Sequence, residues 1–494
     1  MRATVIGLGY VGLVTAACMA EWGHDVIGVD GDERRLRELE AGRMPIHEPG
    51  LADLVASGVA AGRLRFVAPS PRTVSAAQLV FVAVGTHDGN GGWQTATIRS
   101  ALAAIVPSMA DDSTLVVRST LPPDFIRQLP WLVNAIRQEA GRRPIPVMTN
   151  PEFTREGTAV RDFLEPDRVV IGIGDDPHGR GASMLGKVYK KVDAPVLVMG
   201  ATDAALTKLG ANLFLATKIS FANELAQLCD AYGADVGQVV EGMSHDKRIG
   251  GGFLRPGIGF GGSCLPHQVT MTVRDSEALG IGMPLFAAVE TINHRQRELF
   301  VERIARATGG LAGARVALLG LTFKPDTDDL REAPALDIAA LLIERGANVV
   351  AYDPMPTARA RAAEAVPGLA VVDRAMKALV GADAIGLVTE WPEFTRLPWV
   401  AIAKAVRRRV VVDGRNALDP EAIVAAGFEY VGFGRDGRRY IAATTDESPE
   451  AARSGDAVGA VRPRARRRAP ADKTRAGQRL DLSSLGIETN PTGA

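Results

Sequence analysis

The chain has 494 residues, which is too long for one ordinary hydrophobic core, so we expect two or three domains. Lys and Arg together number 57, as do Asp and Glu, and this balance excludes a global field that favours nucleic acid or an anionic membrane. Three cysteines without regular spacing exclude a disulfide scaffold and predict a cytoplasmic protein. The sequence shows neither an apolar run of roughly 18 residues nor a signal peptide, so we expect no membrane insertion.

Short apolar runs alternate with helical periodicity in the first part of the chain. Residues 3–6 predict a strand, residues 11–22 a helix, and residues 24–30 a second buried strand that ends in an acid. Together they form one βαβ unit. Further strands are predicted at residues 79–84, 113–118 and 145–148. This alternation predicts an α/β, Rossmann-like domain with a parallel, doubly wound sheet.

The middle of the chain is predicted to be helical. Residues 202–232 have apolar positions at helical spacing, no proline and only Gly210 as an interruption, which predicts one long central helix. We expect further helix to about residue 307, broken by a glycine-rich segment at residues 250–262. The strand-and-turn pattern restarts at residues 315–320, and more strands are predicted at residues 348–353, 384–388 and 409–413. This part predicts a second Rossmann-like domain.

These patterns predict four segments: residues 1–200, 201–307, 308–435 and 436–494. The last segment is rich in Ala, Arg, Gly, Asp and Pro and has few large apolar residues, so we predict a disordered tail. Its basic run would be a mobile charged stretch without a part in catalysis. The run consists of Arg462, Arg464, Arg466, Arg467 and Arg468.

The string GLGYVG at residues 7–12 follows a predicted strand and opens a predicted helix. In that context Gly7 permits a tight turn, Gly9 lets a pyrophosphate approach the backbone, and Gly12 allows close packing of helix on strand. Asp30 ends the next strand, where its carboxylate accepts hydrogen bonds from ribose hydroxyls and repels a 2′-phosphate. The motif therefore predicts that the cofactor is NAD rather than NADP.

Cys264 follows three glycines in the string GFGGSC, which leaves its thiol approachable and favours a nucleophile. Cys18 and Cys229 lie inside predicted amphipathic helices, and we expect them to be small core residues. Lys208 and Asn212 are four residues apart on the long helix and share one face, which alone indicates no more than a polar surface.

Several long, collinear strings resemble the UDP-glucose/GDP-mannose dehydrogenase family over residues 1 to about 434. The matching strings are GLGYVG, PIHEPGL, VAVGT, STLPP, NPEFTREG, KLGANLFLATKISFANE, DKRIGGGFLRPGIGFGGSC, FKPDTDDLREAP, TEW and DGRN. The resemblance implies an NAD-binding domain, a helical dimerisation domain and a C-terminal domain that binds a UDP-sugar. It also implies a homodimer or higher homo-oligomer, no metal, and two successive oxidations of a nucleotide sugar at C6, from UDP-glucose to UDP-glucuronate.

The resemblance also implies roles for individual residues. Cys264 would form a thiohemiacetal and a thioester, Lys208 and Asn212 would stabilise an oxyanion, and Glu152 and Thr120 would handle protons through water. Arg248 would reach the substrate of a neighbouring subunit. The residues implied at the cofactor are Gly7, Gly9, Tyr10, Val11, Gly12, Asp30, Arg35, Thr86, Thr120, Glu156, His267 and Arg331. Those implied at the substrate are Glu152, Phe153, Thr154, Arg155, Lys208, Asn212, Arg248, Phe253, Leu254, Arg255, Pro256, Gly257, Gly261, Lys324 and Arg415.

The sequence departs from the family pattern directly after the nucleophile. The family has C-x-P-K-D there, whereas this chain has His267 and Gln268 in place of the lysine and the aspartate. Gln268 would take the catalytic position of the aspartate. Since glutamine can orient a water but cannot accept a proton at neutral pH, this replacement implies reduced activity. Smaller departures are His87 after VAVGT and Asp124 after STLPP. Two alternatives stay open: a GDP-mannose or other nucleotide-sugar dehydrogenase, and a catalytically impaired nucleotide-sugar-binding homologue.

Overall fold

The computed structural model describes residues 1–86 and 92–435, and its architecture is built on two separate β-sheets. His87 and the predicted tail with its arginine run lie outside the described residues. Within them, no helix combines the length and the apolar character that crossing a membrane requires.

The first sheet has eight strands in the order β3-β2-β1-β4-β5-β6-β7-β8. The strands are β1 (Arg2–Ile6), β2 (Asp25–Val29), β3 (Leu64–Val67), β4 (Leu79–Val82), β5 (Thr114–Val117), β6 (Val147–Thr149), β7 (Val169–Asp175) and β8 (Val196–Gly200). Neighbouring strands are parallel except β6 and β7, which pair antiparallel. Along β5, Val116 enters one core cluster while Leu115 and Val117 enter another. The sheet is therefore covered on both faces, as parallel sheets require.

Helices connect these strands. They are α1 (Tyr10–Glu21), α2 (Glu33–Glu40), α3 (Leu51–Ala60), α4 (Thr95–Ile105), α5 (Pro123–Glu139), α6 (Ala159–Leu164) and α7 (Arg180–Val188), with short 3-10 turns at Pro71–Thr73, Val106–Ser108 and Tyr189–Lys191.

The predicted central helix is present as α8 (Ala201–Tyr232), a single run of 32 residues. It ends at Gly233, whose φ of 68° is the left-handed conformation that glycine adopts at a helix end. The helices that follow it are α9 (Val236–Ser244), α10 (Leu265–Ala278) and α11 (Pro284–Thr308). The glycine-rich segment lies between α9 and α10, so the predicted interruption is confirmed.

The second sheet has six parallel strands in the order β11-β10-β9-β12-β13-β14. The strands are β9 (Arg315–Leu319), β10 (Asn348–Tyr352), β11 (Ala370–Val371), β12 (Ala384–Leu387), β13 (Val410–Asp413) and β14 (Glu429–Val431). The helices are α12 (Pro334–Glu344), α13 (Pro356–Ala365), α14 (Ala375–Leu379), α15 (Pro392–Thr395), α16 (Trp399–Ile402) and α17 (Pro420–Ala425). The prediction of two Rossmann-like domains is confirmed, while the exact domain boundaries stay predictions.

Candidate active site

The dinucleotide turn joins β1 to α1 and is shaped by its glycines. Gly7 has a φ of 90°, and a Cβ there would lie 2.7 Å from the carbonyl oxygen of Ala83. A Cβ on Gly12 would lie 1.8 Å from the carbonyl oxygen of Gly7, so helix and strand can approach only without one. A Cβ on Gly9 would meet open space at the start of α1. The residues present thus fit a pyrophosphate held at a helix N-terminus.

Asp30 follows the last residue of β2 and is buried. Its Oδ2 accepts hydrogen bonds from the Leu8 amide and the Arg35 guanidinium, both at 2.7 Å, and its Oδ1 accepts one from the Asp32 amide at 2.8 Å. The carboxylate is therefore fixed beside the dinucleotide turn, where an adenosine ribose would lie. This arrangement suits NAD, because a 2′-phosphate would meet a second negative charge.

The ends of β4 and β5 bring Thr86 and Thr120 together. The Thr86 hydroxyl donates to the carbonyl oxygen of Thr120 at 2.7 Å, and the Ser119 hydroxyl donates to the carbonyl oxygen of Val84 at 2.7 Å. Thr120 also lines a small cavity together with Lys208. The structure therefore places a predicted cofactor residue next to a predicted catalytic residue on α8.

Glu152 and Lys208 form a buried ion pair with 3.1 Å between Oε1 and Nζ. Glu152 Oε2 also accepts hydrogen bonds from the amide of Thr154 at 2.8 Å and from its hydroxyl at 2.5 Å. Burial pushes the pKa of Glu152 upward, but Lys208 and Thr154 outweigh it and hold the pKa below its ordinary value. Glu152 is consequently ionised at neutral pH and able to accept a proton.

Cys264 lies at the N-terminal end of α10 and is exposed, while Cys18 and Cys229 are buried as predicted. Burial of its sulfur among the surrounding groups raises the pKa of the Cys264 thiol, the charge of Lys208 lowers it, and Glu152 raises it. The exposure leaves the residue open to a ligand. The N-terminus of α10 and the Lys208 ammonium are the groups that favour a thiolate here.

Asn212 uses the same face of α8 as Lys208, one turn farther along. Its amide nitrogen donates to Oε1 of Gln268 at 3.0 Å, and both side chains are buried. The backbone N–H of Gln268 donates to the carbonyl oxygen of Cys264 at 3.1 Å, in the first turn of α10. The face of α8 that carries Lys208 and Asn212 is thus buried, although the sequence alone indicated no more than a polar surface. Lys208 pairs there with the Glu152 carboxylate, and Asn212 hydrogen-bonds Gln268.

The glycine-rich segment before Cys264 is held by backbone contacts. Leu254, Pro256 and Gly257 are buried, whereas Phe253 and Arg255 are exposed. A Cβ on Gly261 would lie 2.2 Å from the carbonyl oxygen of Glu332. These contacts seat the predicted substrate segment against the second sheet's domain.

Arg415 braces the glycine-rich segment from the side of the second sheet. Its guanidinium donates to the carbonyl oxygens of Val388 and Gly259, both at 2.8 Å, and of Phe323 at 3.2 Å. Since its donors reach three separate segments, Arg415 supports the shape of this site. A direct contact with substrate stays a prediction.

Glu156 and Arg331 connect the two sheet-containing parts of the molecule. Arg331 Nη2 lies 3.2 Å from Glu156 and 2.6 Å from Asp329, and the Thr327 hydroxyl donates to Glu156 at 3.3 Å. Burial and the neighbouring Asp329 raise the pKa of Glu156 to about 7. Burial also lowers the pKa of the nearby Lys324 ammonium.

The remaining predicted residues lie at the edges of this arrangement. Arg248 is exposed and forms an ion pair with Asp246 at 2.5 Å, and Arg155 forms one with Asp162 at 2.7 Å. Phe153 packs under two cations, with Lys208 Nζ 5.4 Å and the Arg168 guanidinium 3.6 Å from its ring centre. His267 is the third residue of α10 and is half-buried. Arg168 and Glu48 were missed by the sequence reasoning, although Glu48 lies in the quoted string PIHEPGL.

Models of three domains match this chain in the order of its sequence. They describe the NAD binding domain of the UDP-glucose/GDP-mannose dehydrogenase family at residues 1–193, its central domain at residues 202–295 and its UDP binding domain at residues 317–420. The chain belongs to the UDP-glucose/GDP-mannose dehydrogenase family. The NAD binding model covers strands β1 to β7 of the first sheet, and the UDP binding model covers most of the second sheet.

Individual members of this dehydrogenase family are similar over most of their length. UDP-glucose 6-dehydrogenase of Pseudomonas aeruginosa is 41% identical over 442 residues, which cover 88% of this chain and 98% of that protein. UDP-glucose 6-dehydrogenase TuaD of Bacillus subtilis is 39% identical over 439 residues, with 88% and 93% covered. A UDP-glucose dehydrogenase structure from Pyrobaculum islandicum has a TM-score of 0.80 and 39% identity, covering 88% of this chain and 98% of that one.

Proposed function

We propose that this chain oxidises UDP-glucose at C6 to UDP-glucuronate in two NAD-dependent steps, with Cys264 as the covalent nucleophile. The observation that carries the proposal is the placement of Lys208, which pairs with Glu152, lines one cavity with Thr120 and acts electrostatically on the Cys264 thiol, in a chain with NAD binding and UDP binding domains. Relatives about 40% identical are UDP-glucose 6-dehydrogenases. Bound NAD supplies the hydride acceptor for each oxidation.

In the first oxidation the C6 hydroxyl must lose a proton. Glu152 is ionised because Lys208 and Thr154 stabilise its carboxylate, so it accepts that proton directly or through a water beside Thr120. The Lys208 ammonium, buried 3.1 Å from the carboxylate, stabilises the negative oxygen that develops on C6. These roles need the ion pair to be buried, because water would weaken both effects.

In the second oxidation the Cys264 sulfur adds to the aldehyde carbon and forms a thiohemiacetal. Loss of a hydride and the hydroxyl proton gives a thioester, and water then releases the carboxylate and restores the thiol. Lys208 and the amide of Asn212 are the donors that stabilise the oxyanion of each tetrahedral intermediate. Gln268 orients Asn212 through the 3.0 Å hydrogen bond, but it cannot accept the proton of the attacking water.

We also infer that the active form is a homodimer or a higher homo-oligomer. Three large apolar side chains on α8 are exposed at seven-residue spacing, with Phe214 63%, Phe221 48% and Leu228 56% accessible. Such a stripe on one face of a long helix fits a second copy of the same helix better than it fits water.

The proposed thiol chemistry also suits a reducing cytoplasm, which keeps Cys264 unoxidised.

A substrate panel tests the proposal. Purified protein with NAD is mixed with UDP-glucose, GDP-mannose or UDP-N-acetylmannosamine, and NADH formation is followed. We expect the highest kcat/KM with UDP-glucose and no steady turnover in Cys264→Ala, whereas Cys229→Ala, which removes a buried thiol elsewhere, retains activity. A higher kcat/KM with either competitor, or wild-type turnover in Cys264→Ala, contradicts the proposal.

A further inference from the structure

Glu48 is a buried carboxylate that the proposed mechanism does not use. It lies in the segment between α2 and α3, two residues before Gly50, and it is 6% exposed. A buried carboxylate is unfavourable unless specific groups hold it, and burial indeed raises the pKa of Glu48 above its ordinary value. Its partners therefore indicate why the chain retains a charge there.

The partners of Glu48 come from two separate parts of the site. Its Oε2 accepts a hydrogen bond from the hydroxyl of Tyr10, the first residue of α1, and one from the amide of Gly157 at 2.6 Å. The Gly157 amide also donates to the Tyr10 hydroxyl oxygen at 2.9 Å, which closes a triangle of three groups. On its other oxygen Glu48 accepts from the amide of Val160 at 3.4 Å.

Both partners adjoin functional groups. Tyr10 follows Gly9, the point at which a pyrophosphate can approach the dinucleotide turn. Gly157 ends the segment 152–157, which begins with Glu152 and contains Glu156. Gly157 has a φ of 80°, and a Cβ there would lie 3.0 Å from the carbonyl oxygen of Asp326 in the UDP binding domain. The segment 152–157 is thus held at its Gly157 end by Glu48 and packs there against the UDP binding domain.

We propose that Glu48 is a positioning residue that ties the segment 152–157 to the dinucleotide turn. Through Tyr10 and Gly157 it sets the distance between the NAD-binding backbone and the carboxylate that accepts the substrate proton. Reactions of this type are sensitive to such placement, since a shift of about 1 Å costs roughly 100-fold in rate. The kinetic part of this inference rests on the proposed function, whereas the effect on the segment itself does not.

The test compares full-length wild type with Glu48→Ala, Glu48→Gln, Tyr10→Phe and the double variant Glu48→Ala/Tyr10→Phe. Glu40→Ala is the matched control, because Glu40 is an exposed glutamate at the end of α2. Three quantities are measured: kcat/KM for NAD at saturating UDP-glucose, the dissociation constant of NAD by fluorescence titration, and hydrogen exchange of the Gly157 and Val160 amides.

Glu48→Ala should lower kcat/KM for NAD about 10- to 100-fold, the range for losing hydrogen bonds to a charged group. Tyr10→Phe should lower it about 3- to 10-fold, and the double variant should be no worse than Glu48→Ala, since both act through the same contact. Glu48→Gln keeps one acceptor oxygen, so its kcat/KM for NAD should lie between that of Glu48→Ala and that of the wild type. Exchange at Gly157 and Val160 should accelerate in every Glu48 variant but not in Glu40→Ala.

The inference is overturned if the loss of kcat/KM for NAD in Glu48→Ala/Tyr10→Phe equals the product of the losses in the two single variants. It is also overturned by a Glu48→Ala enzyme that melts earlier yet keeps wild-type NAD affinity and exchange rates, because that result reduces Glu48 to a packing role. If Glu48→Ala does not fold, Glu48→Gln and Tyr10→Phe give the same comparison. A wild-type protein that is inactive on UDP-glucose refutes the proposed function. Hydrogen exchange at Gly157 and Val160 and the dissociation constant of NAD then still test whether Glu48 positions the segment.

Discussion

Gln268 occupies the position where the family pattern has an aspartate, and its side-chain hydrogen bond with Asn212 explains what is kept and what is lost. The acceptor for the Asn212 amide is kept, at 3.0 Å. The negative charge that can take a proton from water is lost, and loss of a general base typically costs about 10²- to 10⁴-fold in the assisted step. The proposed capture of an aldehyde by Cys264 needs no such base, so we expect hydrolysis of the thioester to be the slowed step.

We therefore predict that a covalent adduct accumulates on Cys264 when the enzyme is mixed with UDP-glucose and NAD. Gln268→Asp should raise kcat and deplete that adduct, because the aspartate can activate water. Mass spectrometry of the intact protein and of its peptides measures the adduct. Gln138→Asp is the control, since Gln138 is exposed on α5. Unchanged turnover in Gln268→Asp together with no adduct in the wild type would show that another group, such as His267, activates the water.

Asp30 gives a second prediction at the scale of one residue. Its carboxylate is held by Leu8 and Arg35 beside the dinucleotide turn, where we propose that it hydrogen-bonds ribose hydroxyls and repels a 2′-phosphate. Asp30→Ala should raise KM for NAD roughly tenfold or more. It should also bring the kcat/KM values for NAD and NADP closer together. Asp25→Ala, at the exposed start of β2, should change neither value. Equal kcat/KM for NAD and NADP in the wild type would refute this role of Asp30.

At the scale of elements, the segment 152–157 meets the segment around Asp329 through Glu156. The pKa of Glu156 is about 7 in the folded protein, against 4.5 for an ordinary glutamate. Between these values the folded state binds more protons than the unfolded state, so stability is lost as the pH rises from about 4.5 to 7. The cost of this ionisation is present in full above pH 7.

Glu156→Gln should therefore raise the melting temperature relative to wild type at pH 8, and the gain should shrink toward pH 5. Arg331 keeps its ion pair with Asp329 at 2.6 Å in the variant, so the contact between the two segments persists. Scanning calorimetry at several pH values measures the effect, with the exposed Glu165→Gln as the control. A gain that is equal at pH 5 and pH 8 would contradict the prediction, because it would show that Glu156 does not change its protonation between these values.

The sequence predicted most elements because their local patterns are strong, and missed those whose patterns are weak. The helix α8 was predicted to within one residue, since helical spacing continues for 32 residues without proline. The strands β3, β7, β8, β11 and β14 were missed: β3 has four residues and includes Arg65, β8 is largely exposed, and β11 and β14 have only two and three residues. The antiparallel pairing of β7 with β6 was also missed, because strand direction depends on the course of the connection between them.

The residues of the site could be predicted from family motifs, but their mutual contacts could not. Lys208 was grouped with Asn212 from their spacing, yet the partner of each, Glu152 and Gln268, is more than 50 residues away. Glu48 contacts Gly157 across 109 residues, and nothing in the local pattern distinguishes it from a surface glutamate. Burial and pairing of polar groups depend on the whole fold, which local sequence patterns do not contain.

At the scale of the whole molecule, the exposed apolar stripe of α8 predicts self-association. Phe214→Glu should place a charge in the interface between two copies and shift the mass toward that of one 52.2 kDa chain. Light scattering after size-exclusion chromatography measures this mass. Trp131→Glu, at an even more exposed aromatic residue on α5, should leave the mass unchanged. A wild-type mass near that of a single chain would contradict the prediction.

The central claim is a four-electron oxidation that passes through Cys264, and the number of NADH molecules formed per UDP-glucose consumed tests it most directly. The reaction is run to completion with limiting UDP-glucose, NADH is measured by absorbance, and the sugar nucleotides are quantified by chromatography. We expect two NADH and one UDP-glucuronate for each UDP-glucose, even when the thioester step is slow. One NADH per UDP-glucose, with free aldehyde as the product, would contradict it.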